Sequence, residues 1–210
     1  MEKLTLENIK GFISKMNTVA AENKDYLIDL DSKMGDGDLG LTMAAVFAAL
    51  DDFASSYADS DIGGLLMKGG IAMSKAAPST MGTLMATGFM RGGKAVKGCS
   101  ELGAAEIASF WTAFVEGIMD RGKAKPGDKT IIDALFPAAE AWTASVGSAD
   151  LAGAAKLAAK AAEEGLEKTK EMVAQHGRAA YYQEKSRELQ DPGATIGAIL
   201  ISTFSDYISG

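Results

Sequence analysis

Leu6-Glu-Asn-Ile-Lys-Gly-Phe-Ile-Ser-Lys-Met-Asn-Thr-Val-Ala20 brings back its apolar residues at Ile9, Phe12, Ile13, Met16, Val19 and Ala20. Steps of three and four residues put these side chains on one face of an α-helix. Thr5 stands just before it with a hydroxyl able to accept from the first free amides, which is what an N-cap requires. The same period recurs along the chain. It predicts a short helix over about Asp25–Lys33 and further helices over Leu41–Ser55, Ile62–Ser74, Gly82–Lys97, Ala104–Arg121, Lys129–Ser145, Leu151–Gln175 and Ala194–Tyr207. Gly98, Pro126-Gly127, Gly147-Ser148 and Asp191-Pro192-Gly193 fall between them as turn signals. Asp150 and Asp191 read as N-caps, with Pro192 in the first turn of the last helix. No segment alternates with period two, and neither a linker nor a repeat divides the 210 residues. The expectation is one all-α domain over 1–210. Short connections favour antiparallel neighbours and small inward-facing residues allow close approach, so it should be an up-and-down bundle or barrel of about eight helices.

One cysteine, Cys99, and one histidine, His176, exclude an internal disulfide and a Cys/His zinc cluster. Any Ser-His-Asp or Cys-His centre would have to use His176. The formal net charge of −7 makes duplex nucleic acid and anionic membrane poor partners. Phosphates remain accessible to an acidic protein when a divalent cation or a few focused cations accompany them. The start, Met1-Glu2-Lys3-Leu4-Thr5, shows no basic stretch followed by an apolar core. The apolar runs Leu39–Leu50 and Pro192–Ser205 are too short to span a bilayer. A cytoplasmic protein is expected.

The densest chemical signal is Asp31-Ser-Lys-Met-Gly35-Asp36-Gly37-Asp38-Leu39-Gly40. Three carboxylates within eight residues raise one another's pKa unless a cation sits among them. Hard oxygen ligands on a tight glycine turn suit Mg²⁺. The bland alternative is a solvated turn with Asp38 capping the next helix. Two other readings of this stretch fail. Gly35-x-Gly37-x-x-Gly40 follows a helix, not the strand that a dinucleotide fingerprint needs. An EF-hand counted from Asp36 would have Leu41 at its glycine and Phe47 at its bidentate acid. Gly122-Lys-Ala-Lys-Pro-Gly127-Asp128-Lys129-Thr130 falls short of a phosphate loop because Asp128 separates glycine from lysine. It reads either as a turn between helices or as a turn approaching a nucleotide with Lys123 or Lys129 near its charge. Arg178, in His176-Gly-Arg178, is a candidate phosphate clamp or an ordinary surface arginine. Gly193, in Gln190-Asp-Pro-Gly193-Ala-Thr195, opens a helix whose free amides suit an anion or a base edge. Ser79-Thr80 in Lys75–Thr83 offers hydroxyls and amides for phosphate, or merely caps.

Taken together and in this order, these segments resemble the nucleotide-binding, DhaL-type subunit of dihydroxyacetone kinases. The likeness rests on Asp31…Gly-Asp36-Gly-Asp38-x-Gly40, Arg121–Thr130, Gly177-Arg178-Ala179 and Gln190–Thr195, which span most of the chain. It implies an all-α domain of about eight antiparallel helices with ADP or ATP and two Mg²⁺ ions at one end. By that resemblance Asp31, Asp36 and Asp38 ligate Mg²⁺, Gly122 and Ile131 lie along the nucleotide, Arg178 meets its phosphates, and Asp191-Pro192-Gly193 line its pocket. Where the family usually has histidine and asparagine around Gly40, this chain has Leu39 and Thr42. The Gly/Ser-rich stretch that normally touches phosphate is represented by the shorter Ala76–Gly82. Ser79, Thr80 and Thr42 are the candidate replacements, and Leu39 and Gly40 the remaining candidate contacts.

The resemblance also implies a partner: a ketone-binding kinase subunit that holds its substrate on a histidine. A phosphotransferase-system subunit that recharges bound ADP and a second copy of this chain are further candidate partners. His176 reads as the C-terminus of the helix Leu151–Gln175 and as dispensable for transfer. Other readings stand beside this one: a kinase subunit for a different small ketose, a nucleotide-binding regulatory module, and a helical binder of lipid or a small apolar ligand suggested by the Met/Ala-rich interior.

Overall fold

Thr5 and Asn8 exchange hydrogen bonds in a capping box that opens α1 (Leu6–Glu22), and the predicted face, Ile9, Phe12, Ile13, Met16 and Ala20, is buried. The structure, a computed structural model, describes residues 2–210, so Met1 of the start read above lies outside it. After α1 come α2 (Lys24–Asp31), α3 (Leu39–Ser56), α4 (Ile62–Ala76), α5 (Thr80–Ala95), α6 (Ala104–Gly122), α7 (Ile132–Ser145), α8 (Leu151–Lys168) and α9 (Pro192–Ser209). The all-α expectation holds. A two-residue antiparallel pair, β1 (Leu4–Thr5) with β2 (Glu101–Leu102), ties the start of α1 to the start of α6. It is too short for alternation to show in the sequence.

Each helix from α3 to α9 packs on the next, and α9 and α3 both pack on α1. Eight helices therefore form a closed ring, with the short α2 laid outside it against α3 and α9. Edge-to-face aromatics fill the middle: Phe12 on Phe204 at 5.0 Å, Trp111 on Phe204 at 5.5 Å and Phe89 on Phe114 at 5.3 Å between ring centroids. An apolar cleft beside Phe110 and Trp111 holds about 20 Å³, which leaves no room for an acyl chain. By length and composition alone α3 could cross a membrane, because it runs past Leu50 to Ser56. Here Met43, Val46, Phe47 and Leu50 on α3 are instead buried in the ring.

Several helix ends differ from the sequence expectation, each for a tertiary reason. α8 stops at Lys168, not Gln175, because Thr169 turns its hydroxyl back onto the Leu166 carbonyl and accepts the Asp191 amide. The chain then runs through a 3₁₀ turn (Thr169–Glu171) and an irregular pair of 3₁₀ turns (Arg178–Ser186) broken at Gln183. His176 thus lies well beyond any helix end, which overturns the helix C-terminus reading. α7 starts at Ile132, not Lys129, because Lys129 has φ 61, a left-handed conformation that no helix continues through.

α2 meets α3 at Gly40, where a methyl group would sit 2.0 Å from the Lys24 carbonyl oxygen. That backbone oxygen cannot move cheaply. Gly40→Ala should cost about 1–3 kcal/mol through overpacking. Urea unfolding should show a lower midpoint at unchanged slope.

Candidate functional site

Up-and-down order brings the starts of α3, α5, α7 and α9 to one end of the ring, with the ends of α2, α6 and α8. A cavity of about 410 Å³ lies there, lined by Asp31, Asp36, Asp38 and Leu39, by Ser79 and Thr80, by Gly122 and Ile131, by Arg178, and by Asp191, Pro192 and Gly193. Met81, Leu84 and Ile118 give it an apolar wall. Four helix starts aim free amides and positive partial charge at this space, which suits an anion.

The acidic turn is at the mouth. One carboxylate oxygen from each of Asp31, Asp36 and Asp38 falls within 4.8 Å of the others, a spacing that a single cation could bridge. The turn is held from inside: Asp31 Oδ2 accepts the Gly37 amide at 2.9 Å, and Gly37 has φ 73. Asp38 stands before α3 but makes no capping bond, so the bland cap reading does not describe it. Burial first, and then the charges of Asp36 and Asp31, push the Asp38 carboxyl above its ordinary range, while Arg178 opposes them. Arg178 Nη2 reaches Asp36 Oδ2 at 2.8 Å, so the arginine leans over the acidic turn.

The loop from α6 to α7 lines another part of the cavity. Asp133, in the first turn of α7, accepts the amides of Gly127 at 2.6 Å and Thr130 at 2.7 Å, which folds the loop onto its own helix. Asp128 is buried and faces Lys125 Nζ at 2.8 Å and His176 Nε2 at 3.0 Å. Burial alone would raise its pKa. Hydrogen bonds from the Lys125 ammonium and amide and from His176 outweigh that and hold it down at about 2. Lys129 is buried too, and its ammonium donates to the carbonyls of Thr169 and Leu189. Burial pulls its pKa down, and the Asp191 charge opposes. Asp191 caps α9 by accepting the Ala194 amide at 2.6 Å, and burial pushes its carboxyl up to about 7.

Residues 33–206 match the DAK2 domain. The chain belongs to the DAK2-domain family. It is 32% identical over 193 residues to the PEP-dependent dihydroxyacetone kinase, ADP-binding subunit DhaL, of Escherichia coli K12, covering 91% of this chain and 92% of that one. It is 34% identical over 179 residues to the ADP-binding subunit DhaL of PEP-dependent dihydroxyacetone kinase 1 of Listeria innocua, covering 85% of each. Among solved structures it resembles the dihydroxyacetone kinase of C. freundii in complex with AMP-PNP and Mg²⁺, with a TM-score of 0.73 and 23% identity. That match covers 94% of this chain and 33% of that one, so this DAK2 chain spans about a third of the solved kinase's length.

The cavity brings together most of the residues singled out in the sequence. Gly40 and Thr42 do not line it. Gly40 serves the contact of α3 with α2, and Thr42 is buried with its hydroxyl 3.2 Å from Ser79 Oγ. Lys123 is exposed in a left-handed conformation, and the Lys129 ammonium is taken by two carbonyls. Sequence reasoning missed Asp133 and the Asp128–His176 contact. A usable signal was present in Gly127-Asp128-Lys129-Thr130, where the aspartate that spoils a phosphate loop is the residue that organises this one.

Because the Asp128 pKa is lowered in the fold, its stabilisation is present above its ordinary value of 3.8 and is lost as pH falls toward about 2. A shift of this size corresponds to about 2 kcal/mol. The stability gap between wild type and Asp128→Asn, measured by urea unfolding, should have that size near neutral pH and shrink across this acid window.

Proposed function

We propose that this chain is the nucleotide-binding, phosphoryl-donor subunit of a dihydroxyacetone-type ketone kinase, with ADP or ATP in the cavity and Mg²⁺ on Asp31, Asp36 and Asp38. The observation that carries this reading is the placement of the acidic triad at the mouth of a cavity on which four helix starts converge. Three hard, clustered carboxylates fit Mg²⁺, and their mutual repulsion calls for it. Two such ions, when bound, supply the charge neutralisation that phosphoryl transfer needs.

The chain's own groups divide the remaining work. Met81, Leu84, Ile118, Ile131 and Pro192 form a dry wall for the base, with Leu39 and Gly122 alongside. Ser79 Oγ accepts from the Gly82 amide and from Thr42, which leaves its own proton for a phosphate oxygen. Thr80 and the amides at Gly193 offer further donors. Arg178 is exposed and paired with Asp36, a contact worth little by itself. Once a cation neutralises Asp36, the planar fork is free to clamp a phosphate. His176 lines the cavity but is engaged by Asp128, so no general base is assigned to it. The acceptor hydroxyl and the ketone-holding histidine belong to a separate kinase subunit, which also sets which small ketose is used. Recharging of bound ADP by a phosphotransferase-system protein, a cytoplasmic setting and pairing of two copies complete the reading.

Titration calorimetry tests it. ADP should bind tightly with Mg²⁺ and poorly after chelation, and Asp36→Asn or Asp38→Asn should weaken Mg-ADP binding roughly a hundredfold. Equal affinity with and without chelator would remove the triad from the site. Arg178→Lys should be nearly as harmful to transfer as Arg178→Ala, since a point charge does not replace the fork. Full transfer by the lysine variant, assayed with the ketone-binding subunit, would return Arg178 to the surface.

A further inference from the structure

The flap that carries Arg178, residues 170–190 between α8 and α9, has little apolar anchorage. Ala174 and Ser186 are its buried residues, and Tyr181 at its tip is 87% exposed. Polar ties hold it instead. At its two ends Lys129 Nζ donates to the carbonyls of Thr169 and Leu189, both at 2.6 Å, so one buried ammonium staples the start of the flap to its finish. The Glu188 amide closes the same neck on the Lys170 carbonyl at 2.8 Å. Next to Lys129, the Asp128 carbonyl accepts the Gln175 amide at 3.1 Å and its carboxylate meets His176, two residues before Arg178. The backbone of Lys129 is left-handed at φ 61, a conformation that a lysine keeps only when its surroundings fix it. No other cation among the described residues has its ammonium buried against two main-chain carbonyls of this flap.

The geometry points to Lys129 as a positioning residue for Arg178: it closes the neck of the flap and thereby sets the guanidinium over the acidic turn. Lys129 borders the cavity, but two of its three ammonium protons are committed to carbonyls, so its direct hold is on the flap. It acts through the flap, and it joins the α6–α7 loop to the segment that carries the arginine. The inference rests on the phosphoryl-donor reading for its consequence in binding, but not for the closure itself.

Two readouts on the full chain test it. Hydrogen exchange at the Ala174, Gln175 and Glu188 amides should speed up about tenfold or more in Lys129→Met, with the ring helices unchanged. This readout needs no nucleotide and stands even if wild type binds no Mg-ADP, a result that would sink the functional reading alone. The second is a double-mutant cycle on Mg-ADP affinity. Lys129→Met should weaken binding about tenfold in wild type and less than twofold in an Arg178→Ala background, because the arginine it positions is gone. Equal losses in both backgrounds, or unchanged flap exchange, would overturn the proposal. Lys129→Gln, a shorter uncharged donor, should give the same pattern at smaller size if the methionine variant does not fold. Failure of both variants to fold would also overturn it, making Lys129 a requirement of the fold itself.

Discussion

Closing the ring between α9 and α1 engages the apolar face of each of its eight helices, so chemistry is confined to the ends. The aromatic chain through Phe12, Phe204, Trp111 and Phe114 leaves the middle filled. Alternation of direction then makes the two ends unlike. The cavity end receives four helix starts, in α3, α5, α7 and α9, while α1, α4, α6 and α8 begin at the other. Each start carries unpaired amides and roughly half a positive charge. An acidic chain thus obtains an electropositive floor largely from its backbone.

That floor explains why the triad sits at the mouth and not deeper. Inside the cavity, three carboxylates would cancel the amide field and repel phosphate. At the rim they could hold a cation between themselves and a bound phosphate, as the proposed function requires. The raised Asp38 carboxyl, and the arginine drawn to Asp36, are two signs that the turn is short of positive charge by itself. Elsewhere the glycines of this turn serve geometry more than chemistry. Gly37 permits the left-handed bend that lets Asp31 grip its amide, and Gly40 lets α2 and α3 touch.

Local rules carried the sequence reading a long way. Thr5, Asp150 and Asp191 each cap the helix assigned to them, because capping is settled within four residues. The acidic turn was legible for the same reason. What failed was decided by residues far apart in the chain. Ala-rich α8 has the propensity to continue to Gln175, yet its end is fixed by Lys129, forty residues away, and by the Asp191 amide. Thr42 and Gly40 are neighbours of the acidic turn in sequence, but the helix that begins at Leu39 rotates them away from the cavity, onto Ser79 and Lys24. His176 looked like a helix end and is a contact of Asp128, a pairing that periodicity does not encode.

The fold keeps Asp191, a buried carboxyl pushed up to about 7, in the lining of the cavity. With a folded pKa above the ordinary 3.8, the unfolded chain ionises first as pH rises, so this group erodes stability between those two values. A neutral cap such as asparagine or serine would satisfy the Ala194 amide without that cost. The Lys129 charge nearby favours the carboxylate and so offsets part of that cost. Position matters more than charge here: Thr169 accepts the Asp191 amide with its hydroxyl and the Lys129 ammonium with its carbonyl, which ties the start of α9, at the cavity floor, to the loop whose lysine closes the flap. Asp191 thus stands where the cavity floor is held in a fixed relation to the flap that carries the arginine. A site assembled from six separate chain segments needs that more than it needs a more stable core.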